Sequence, residues 1–403
     1  MQKNYKKYLI YYLSSLFFFS IFYLIQKHNI GNDSTISEWL INYSGGFTKR
    51  GLIGQICIYI ANFLNFDLRD IILNFQILLI ASYFILLFYF LKNIKVNKII
   101  ILSIFTPIFI LYPVAEIEVL ARKEVFIFCI ILTYLFINNS KLRDAYKLIF
   151  LPIAILIWEP VIFYFVFFLA VDIFKNNLEK IDKKFIINLT YYIPAILIAL
   201  YIAKNPISPD NHEIMAKYLK NNFNENCYMS CALLKSKSSI YAQFQGNFGK
   251  YSFVVFFRYF LIILFGFGPL ILLLKNSTIK NSNLFYFRNF KDLFLPVSLM
   301  LTPVILLFAM GYDWGRWVNI SYVFTVTFYL NLYREKKITL NENFLKNKNL
   351  KYLNNKKIFV IIIIVFCFGW NPKTVITGDV ASKPGYQIPR KAIKIIYFDY
   401  LKN

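Results

Sequence analysis

The sequence predicts an all-α fold, a polytopic transmembrane helical bundle of about eleven spans with a long first outer loop that contains juxtamembrane helices. Three observations predict it. The chain is 58% hydrophobic with a mean hydropathy of +0.52, too apolar for a solvated globule of 403 residues. Apolar runs of the length demanded by a hydrocarbon core about 30 Å thick alternate with short basic connectors. The basic residues, which give a net charge of +24, flank those runs in small clusters instead of forming a soluble face with base-stacking aromatics. Nucleic acid is therefore not expected as a partner.

The basic start, Lys3, Lys6 and Lys7, leads into an apolar run at 8–25 with no small-residue cleavage site after it. That run is expected to stay as the first span. Further spans are read near 71–91, 99–114, 125–138, 148–158, 160–174, 185–203, 251–274, 293–310, 318–333 and 358–370. Glu159-Pro160 divides the long run at 148–174 into two short helices of a hairpin. These spans form one membrane domain, 1–370, followed by a tail, 371–403, whose stretch at 388–401 reads as a basic helix on a membrane surface.

Charge sets the orientation. With the N-terminus cytoplasmic, the inner segments hold 25 Lys and Arg against six Asp and Glu, and the remainder holds 20 against 15. The positive-inside rule is then met at every inner loop. Two long outer loops result, 26–70 and 204–250. The first is read as a helix near 35–43, a turn at Gly45-Gly46 and a helix at 52–66 lying in the outer interface. The tail, with six Lys or Arg against two Asp, falls outside by span counting although its charge favours the inside.

This topology gathers Asp33, Glu38, Lys49, Arg50, Glu116, Glu118, Arg122, Lys123, Glu124, Glu159, Asp313 and Arg316 on the outer side, from four separate connections. Ionisable groups at bilayer level normally face a cavity or each other, so the pattern marks a candidate polar site; loop polarity alone is the plainer reading. The segment 43–52 places Gly45, Gly46 and Gly51 beside Lys49 and Arg50 at a helix start, either a phosphate cradle or a tight turn with snorkelling cations. The cations of the 116–124 cluster suit a diphosphate or internal ion pairs. Glu159, after Trp158 at a hairpin tip, is either an acid–base residue or a hairpin cap.

The segment 311–317 sets Asp313 and Arg316 among Trp314 and Trp317, between glycines. A guanidinium suits bidentate phosphate binding and an indole suits a sugar face; an ion pair within an aromatic belt is the structural alternative. Arg316 stands out because the chain has 36 Lys and only nine Arg. Arg258, inside an apolar span, is a further candidate phosphate contact near the same leaflet. All five tryptophans, Trp39, Trp158, Trp314, Trp317 and Trp370, fall at the outer interface in this topology, which fits carbohydrate stacking there or an aromatic belt whose inner side is served by the 30 tyrosines. His28 and His212 are the only histidines, so no zinc pattern exists. A divalent ion held by Asp33 and Glu38 with a substrate phosphate is the metal arrangement these residues allow. Cys227 and Cys231, four apart, are within reach of a disulfide.

In layout the chain resembles the GT-C superfamily of membrane glycosyltransferases and, more loosely, bacterial surface-glycan polymerases that use lipid-linked sugars. In residue detail the resemblance is carried by 33–52, 122–124, 158–160 and 311–317. It implies a polyprenyl phosphate or pyrophosphate sugar donor, a glycan, lipid or protein acceptor, and a site on the external face of a bacterial inner membrane. It also implies that an acid of the first outer loop, Asp33 or Glu38, acts as base or metal ligand, although the paired acids common in the family are missing here. Lys49, Arg50, Arg122, Lys123, Glu124, Asp313, Trp314 and Arg316 would bind substrate, with Glu159 a further catalytic candidate. A repeat-unit polymerase with the same site, or a flippase for a lipid-linked glycan, are the competing functions.

Overall fold

The computed structural model describes residues 2–29, 34–235, 240–281, 283–346, 352–377 and 380–398. It is 74% helical with almost no strand, as the all-α expectation requires. The first half runs α1 (Gln2–His28), α2 (Ser34–Ser37), α3 (Gly51–Leu64), α4 (Leu68–Leu91), α5 (Lys98–Phe105), α6 (Tyr112–Ala115), α7 (Glu124–Phe136), α8 (Ser140–Ile157) and α9 (Phe165–Asn176). The chain continues with α10 (Lys183–Thr190), α11 (Ile193–Lys204), α12 (Pro209–Phe223), α13 (Met229–Ala232), α14 (Ile240–Phe248) and α15 (Phe253–Lys275). It ends with α16 (Phe294–Met300), α17 (Ile305–Met310), α18 (Trp314–Arg334), α19 (Lys356–Ile362) and α20 (Pro384–Ile396).

Local chemistry starts many of these helices. Asp67, Asn97, Asn139, Asp182, Ser208 and Ser252 each accept a hydrogen bond from a first-turn backbone N–H, which satisfies a donor that the helix itself leaves open. Proline ends others. Thr106, held extended by Pro107, closes α5, so the expected span at 99–114 is a broken segment and not one helix. Pro303 likewise falls in a 3-10 turn between α16 and α17.

Among the described residues, three helices are long and apolar enough to cross a membrane: Asn4–His28, Leu68–Leu91 and Phe253–Lys275. The pair α10 and α11, bent by 42°, makes a fourth if it is one span. The other apolar runs are helical but shorter. Hydropathy finds these runs and counts each as a crossing, whereas α18 is buried at every residue from Trp314 to Leu332 and forms the centre of the bundle. Several of its polar residues are satisfied internally, for example Asn319, whose Nδ2 donates to the Ile108 and Phe109 carbonyls.

Two short antiparallel ribbons tie distant connectors together. Strand β1 (Ser277–Ile279) pairs with β2 (Ile338–Leu340), joining two connectors expected on the same side. Strand β3 (Trp370–Asn371) pairs with β4 (Ala381–Ser382) in the tail. The tail helix α20 begins four residues earlier than expected and docks on the bundle, with the Tyr23 hydroxyl donating to the Ile388 carbonyl at 2.5 Å. It therefore lies at the same end as the loop that follows α1.

That first loop differs from expectation. The helix expected near 35–43 stops at Ser37, because Trp39 turns inward and donates its indole N–H to the Ala121 carbonyl at 3.1 Å. A helix expected at 52–66 is present as α3, with Tyr59 and Phe63 exposed. The break at Glu159 is also present, as an extended Trp158 followed by a 3-10 turn.

Candidate functional site

Four chain segments deliver charge to one end of the bundle, and three of them are helix starts. Arg50 precedes α3, Arg122 and Lys123 precede α7, and Asp313 and Arg316 sit at the start of α18. Glu38 follows α2, and Glu159 opens the 3-10 turn after α8.

Glu38 is the hub, with a side chain fully removed from solvent. Its carboxylate accepts two hydrogen bonds from Arg122, Nε at 3.0 Å and Nη2 at 2.9 Å. Arg50 adds a third at 3.1 Å and Arg316 a fourth at 3.4 Å. Burial alone would push this carboxyl up, but Arg122, Arg316 and Arg50 together hold it well below the usual carboxylate range. Arg50 then forks onto Glu159, and Arg316 forks onto Glu124 at 2.6 and 2.7 Å while touching Asp313 at 3.2 Å. Glu159 is held down to about 2 against its own burial, by Arg50 and Lys49. Lys123 is buried and donates to the Arg50 carbonyl; desolvation lowers it to about 8.

The cluster has a buried centre and an exposed edge. The side chains of Lys49, Asp313 and Glu159 are 42%, 29% and 21% exposed, against 2% for Arg316. Among the described residues five cations meet four carboxylates, which leaves one positive charge over, and three helix N-termini add their partial positive charge. Two donors beside the cluster lack acceptors among the described residues: the indole N–H groups of Trp158 and Trp317 are buried with no hydrogen-bond partner there. Trp317 lies under the Arg316 guanidinium at 5.3 Å.

Backbone strain accompanies the arginines. Arg50 has φ 63° and Ala121, just before Arg122, has φ 52°, both in the left-handed region that costs non-glycine residues about 1 kcal/mol or more. Such conformations persist where surrounding contacts over-determine them and cluster at functional sites.

Of the residues expected in the site, Glu38, Lys49, Arg50, Arg122, Lys123, Glu124, Glu159, Asp313 and Arg316 come together. Asp33 lies outside the described residues. Glu116 points elsewhere, to Lys373 at 3.0 Å and Asn371 at 2.9 Å in the tail. Trp314 sits in an aromatic nest of Tyr251, Phe256, Tyr259 and Phe308, and its N–H donates to the Phe308 carbonyl. Trp39 and Trp158 are fully buried, so these rings pack the core and offer no open sugar-stacking face. The glycines of the expected phosphate cradle are also occupied. A Cβ at Gly45 would meet the Asn211 carbonyl oxygen at 1.9 Å, and one at Gly51 the Tyr43 ring at 2.2 Å. They allow the two long loops and α3 to approach closely. A divalent ion at Glu38 fits poorly, because guanidinium groups already engage both of its oxygens.

The Cys227–Cys231 disulfide expected from the spacing is formed, beside His212. Two features escaped sequence reasoning. Arg69 forks onto Glu225 and also contacts Tyr228 and the His28 carbonyl, clamping the second long loop to the first. At the far end of the bundle, Arg143 and Lys147 on α8 enclose Asp172 on α9, at 3.1 and 2.7 Å. The signal for this last group was present, since Asp172 is a lone acid in an apolar run and Arg143 and Lys147 share a helix face. Comparison with protein-family models, with curated proteins and with solved structures finds no match.

Proposed function

We propose that the chain is a membrane glycosyltransferase that moves a sugar or oligosaccharide from a polyprenyl phosphate or pyrophosphate donor to an acceptor hydroxyl, on the external face of a bacterial inner membrane during surface-glycan assembly. The observation that carries the reading is the arginine cluster around Glu38, with its surplus positive charge and its exposed edge at Lys49, Arg50, Glu159 and Asp313. A field of that sign, set at three helix N-termini, suits a leaving phosphate. The orphaned indole donors of Trp158 and Trp317 suit ligand oxygens.

Residue roles follow from the pairing. Glu38 and Glu159 are held too acidic to take a proton at neutral pH, so they position the arginines. Asp313 is the most exposed carboxylate of the cluster and engages Arg316 through one oxygen. It is the base in this scheme. The acceptor oxygen attacks the anomeric carbon, its proton passes to Asp313, and the bond from that carbon to the phosphate oxygen breaks. Lys49 and Arg50 at the edge take up the charge on the departing phosphate, and Arg122 and Arg316 support them from behind.

Deleting the gene and profiling lipid-linked and surface glycans by mass spectrometry tests the reading. Loss of a glycan, with its lipid-linked precursor accumulating, is expected, and rescue should need Asp313 and Arg50. Unchanged glycans would overturn it.

A further inference from the structure

We infer that the groove between α1 and α4 is a binding site for an anionic glycerophospholipid, with one acyl chain lying in the groove and the phosphate meeting Lys7 and Lys92 at its end. This lipid is distinct from the sugar donor, and the inference stands without the transferase reading.

Among the described residues, α1 and α4 supply two of the three helices long and apolar enough to cross a membrane. They pack antiparallel: the Tyr5 hydroxyl donates to the Leu91 carbonyl at 3.4 Å, and Phe17 meets Phe84 edge to face with ring centroids 6.2 Å apart. Between them runs a groove of about 400 Å³. Leu13 and Phe84 are buried at its floor, while Ile10, Ser14, Ile85 and Tyr89 stand exposed along its sides.

Helix periodicity decides what lies at the end of the groove. On α1 the lining residues Ile10, Ser14 and Phe17 are spaced by four and three, and one turn before Ile10 the same stripe carries Lys7. On α4 the lining residues Ala81, Ile85 and Phe88 are spaced alike, and the next place in that stripe is Lys92. Because Tyr5 touches Leu91, the two lysines share one end of the groove. Lys92 Nζ stands 3.9 Å from the centre of the Tyr89 ring, itself part of the lining, and Lys7 Nζ stands 5.6 Å from that of Tyr11. Among the described residues neither lysine makes an ion pair; each lies against an aromatic ring instead.

An apolar slot that ends at two ammonium groups complements a hydrocarbon chain that ends in an anionic head, and lysines at a membrane surface attract such heads. A zwitterionic lipid fits the slot equally but brings its own cation to the same two lysines. The site also lies far from the arginine cluster. From its charged end α1 runs 27 residues, about 40 Å of helix, toward the loop that carries Glu38. The lipid therefore belongs to the leaflet opposite the one that supplies the donor in the transferase reading.

Native mass spectrometry of the full chain in detergent, titrated with dioleoyl phosphatidylglycerol, dioleoyl phosphatidylcholine or glycerol phosphate, tests the inference. Phosphatidylglycerol should bind about tenfold more tightly than phosphatidylcholine, which has the same chains. Glycerol phosphate should fail to compete, because it has no chain to fill the groove. Lys7→Gln combined with Lys92→Gln should bring phosphatidylglycerol down to the level of phosphatidylcholine. Ser14→Trp, at an exposed lining position, should weaken both lipids by filling the slot. Lys183→Gln combined with Lys184→Gln, at exposed positions that open α10, controls for general attraction and should keep the full preference. Equal binding of the two lipids, competition by glycerol phosphate, an undiminished preference in the Lys7 and Lys92 variant, or the same loss in the Lys183 and Lys184 variant would overturn the site. Wild-type binding by Ser14→Trp would do so too, and if that variant fails to fold the two lysine pairs still decide.

Discussion

Arg50 and Glu159, 109 residues apart, meet through two parallel hydrogen bonds, Nε to Oε2 at 2.8 Å and Nη2 to Oε1 at 2.9 Å. The fork depends on a planar guanidinium, and the same group also reaches Glu38. Arg50→Lys keeps the charge but cannot span both carboxylates. Glycan output measured by mass spectrometry should fall at least about tenfold, while the protein still elutes as a single species in detergent; each charge-assisted bond lost is worth about 1.5–3 kcal/mol. Wild-type output from this variant would reduce the pair to a loop staple.

The low acidity range of Glu159 fixes an acid limb. Its folded value, about 2, lies below the ordinary 4.5, so as pH falls the unfolded chain takes up the proton first. The stabilisation is complete above about pH 4.5 and is lost as pH drops toward 2, on the order of 3 kcal/mol in total. Melting temperature should be level from neutral pH to about 5 and then decline. In Glu159→Gln the Glu159 share of that decline should vanish, and a variant with the wild-type acid slope would show that the carboxylate is not held low.

Lys123 sets the alkaline side. Desolvation lowers it from 10.5 to about 8, so the folded protein releases this proton first and gains stability between those values as pH rises. The positive field, however, weakens once the ammonium is neutral. Transfer should therefore drop above about pH 8 with no accompanying loss of stability, and Lys123→Met should remove that pH step. A matching step in the variant would assign it to another group.

At Ala121 the left-handed backbone delivers Arg122 to Glu38 and the carbonyl to Trp39. Glycine adopts φ 52° without the Cβ clash, so Ala121→Gly should melt at or above the wild-type temperature with the site intact. Ala121→Val should lower the melting temperature by several degrees and reduce output, because a β-branched residue tolerates that region worst. Equal melting of the two variants would deny the strain.

Much of this was legible from charge and spacing. Lone charges beside apolar runs, such as Glu38, Arg122, Glu159 and Arg316, foretold a common site because burial forces charges to find each other. Their pairing was not legible, since it depends on which helix starts face one another, and that follows from α18 passing through the middle of the bundle. Hydropathy gave α18 no special status, for a helix that buries Asn319, Thr327 and Asn331 reads as less apolar than one facing lipid. The glycines at 45 and 51 misled for a related reason: close approach of backbone signals a neighbour, and the sequence does not say whether the neighbour is a ligand or another loop. Trp39 and Trp158 misled likewise, because an indole near a charged loop packs a core as readily as it stacks on a sugar.

The far cluster gives the sharpest stability test. Asp172 is fully buried and holds Arg143 Nε at 3.1 Å and Lys147 Nζ at 2.7 Å; Asn176 also bonds to Arg143, and Asn188 accepts from Lys147 at 2.7 Å. Removing the one acid at the centre leaves two buried cations with Asp144 as the remaining carboxylate, paired to Lys147 at 3.0 Å. Breaking a buried pair in this way costs about 3–5 kcal/mol, more than deleting the whole group would. Asp172→Asn should therefore lower yield and melting temperature sharply, as read by fluorescence-detected size exclusion with heating. The triple change Asp172→Asn, Arg143→Leu, Lys147→Met should recover most of the loss. The cluster around Glu38 should behave differently if, as proposed, its surplus charge serves a ligand. Neutralising it as a unit should spare stability and abolish output, and a neutral cluster that still transfers would separate the charge from the chemistry.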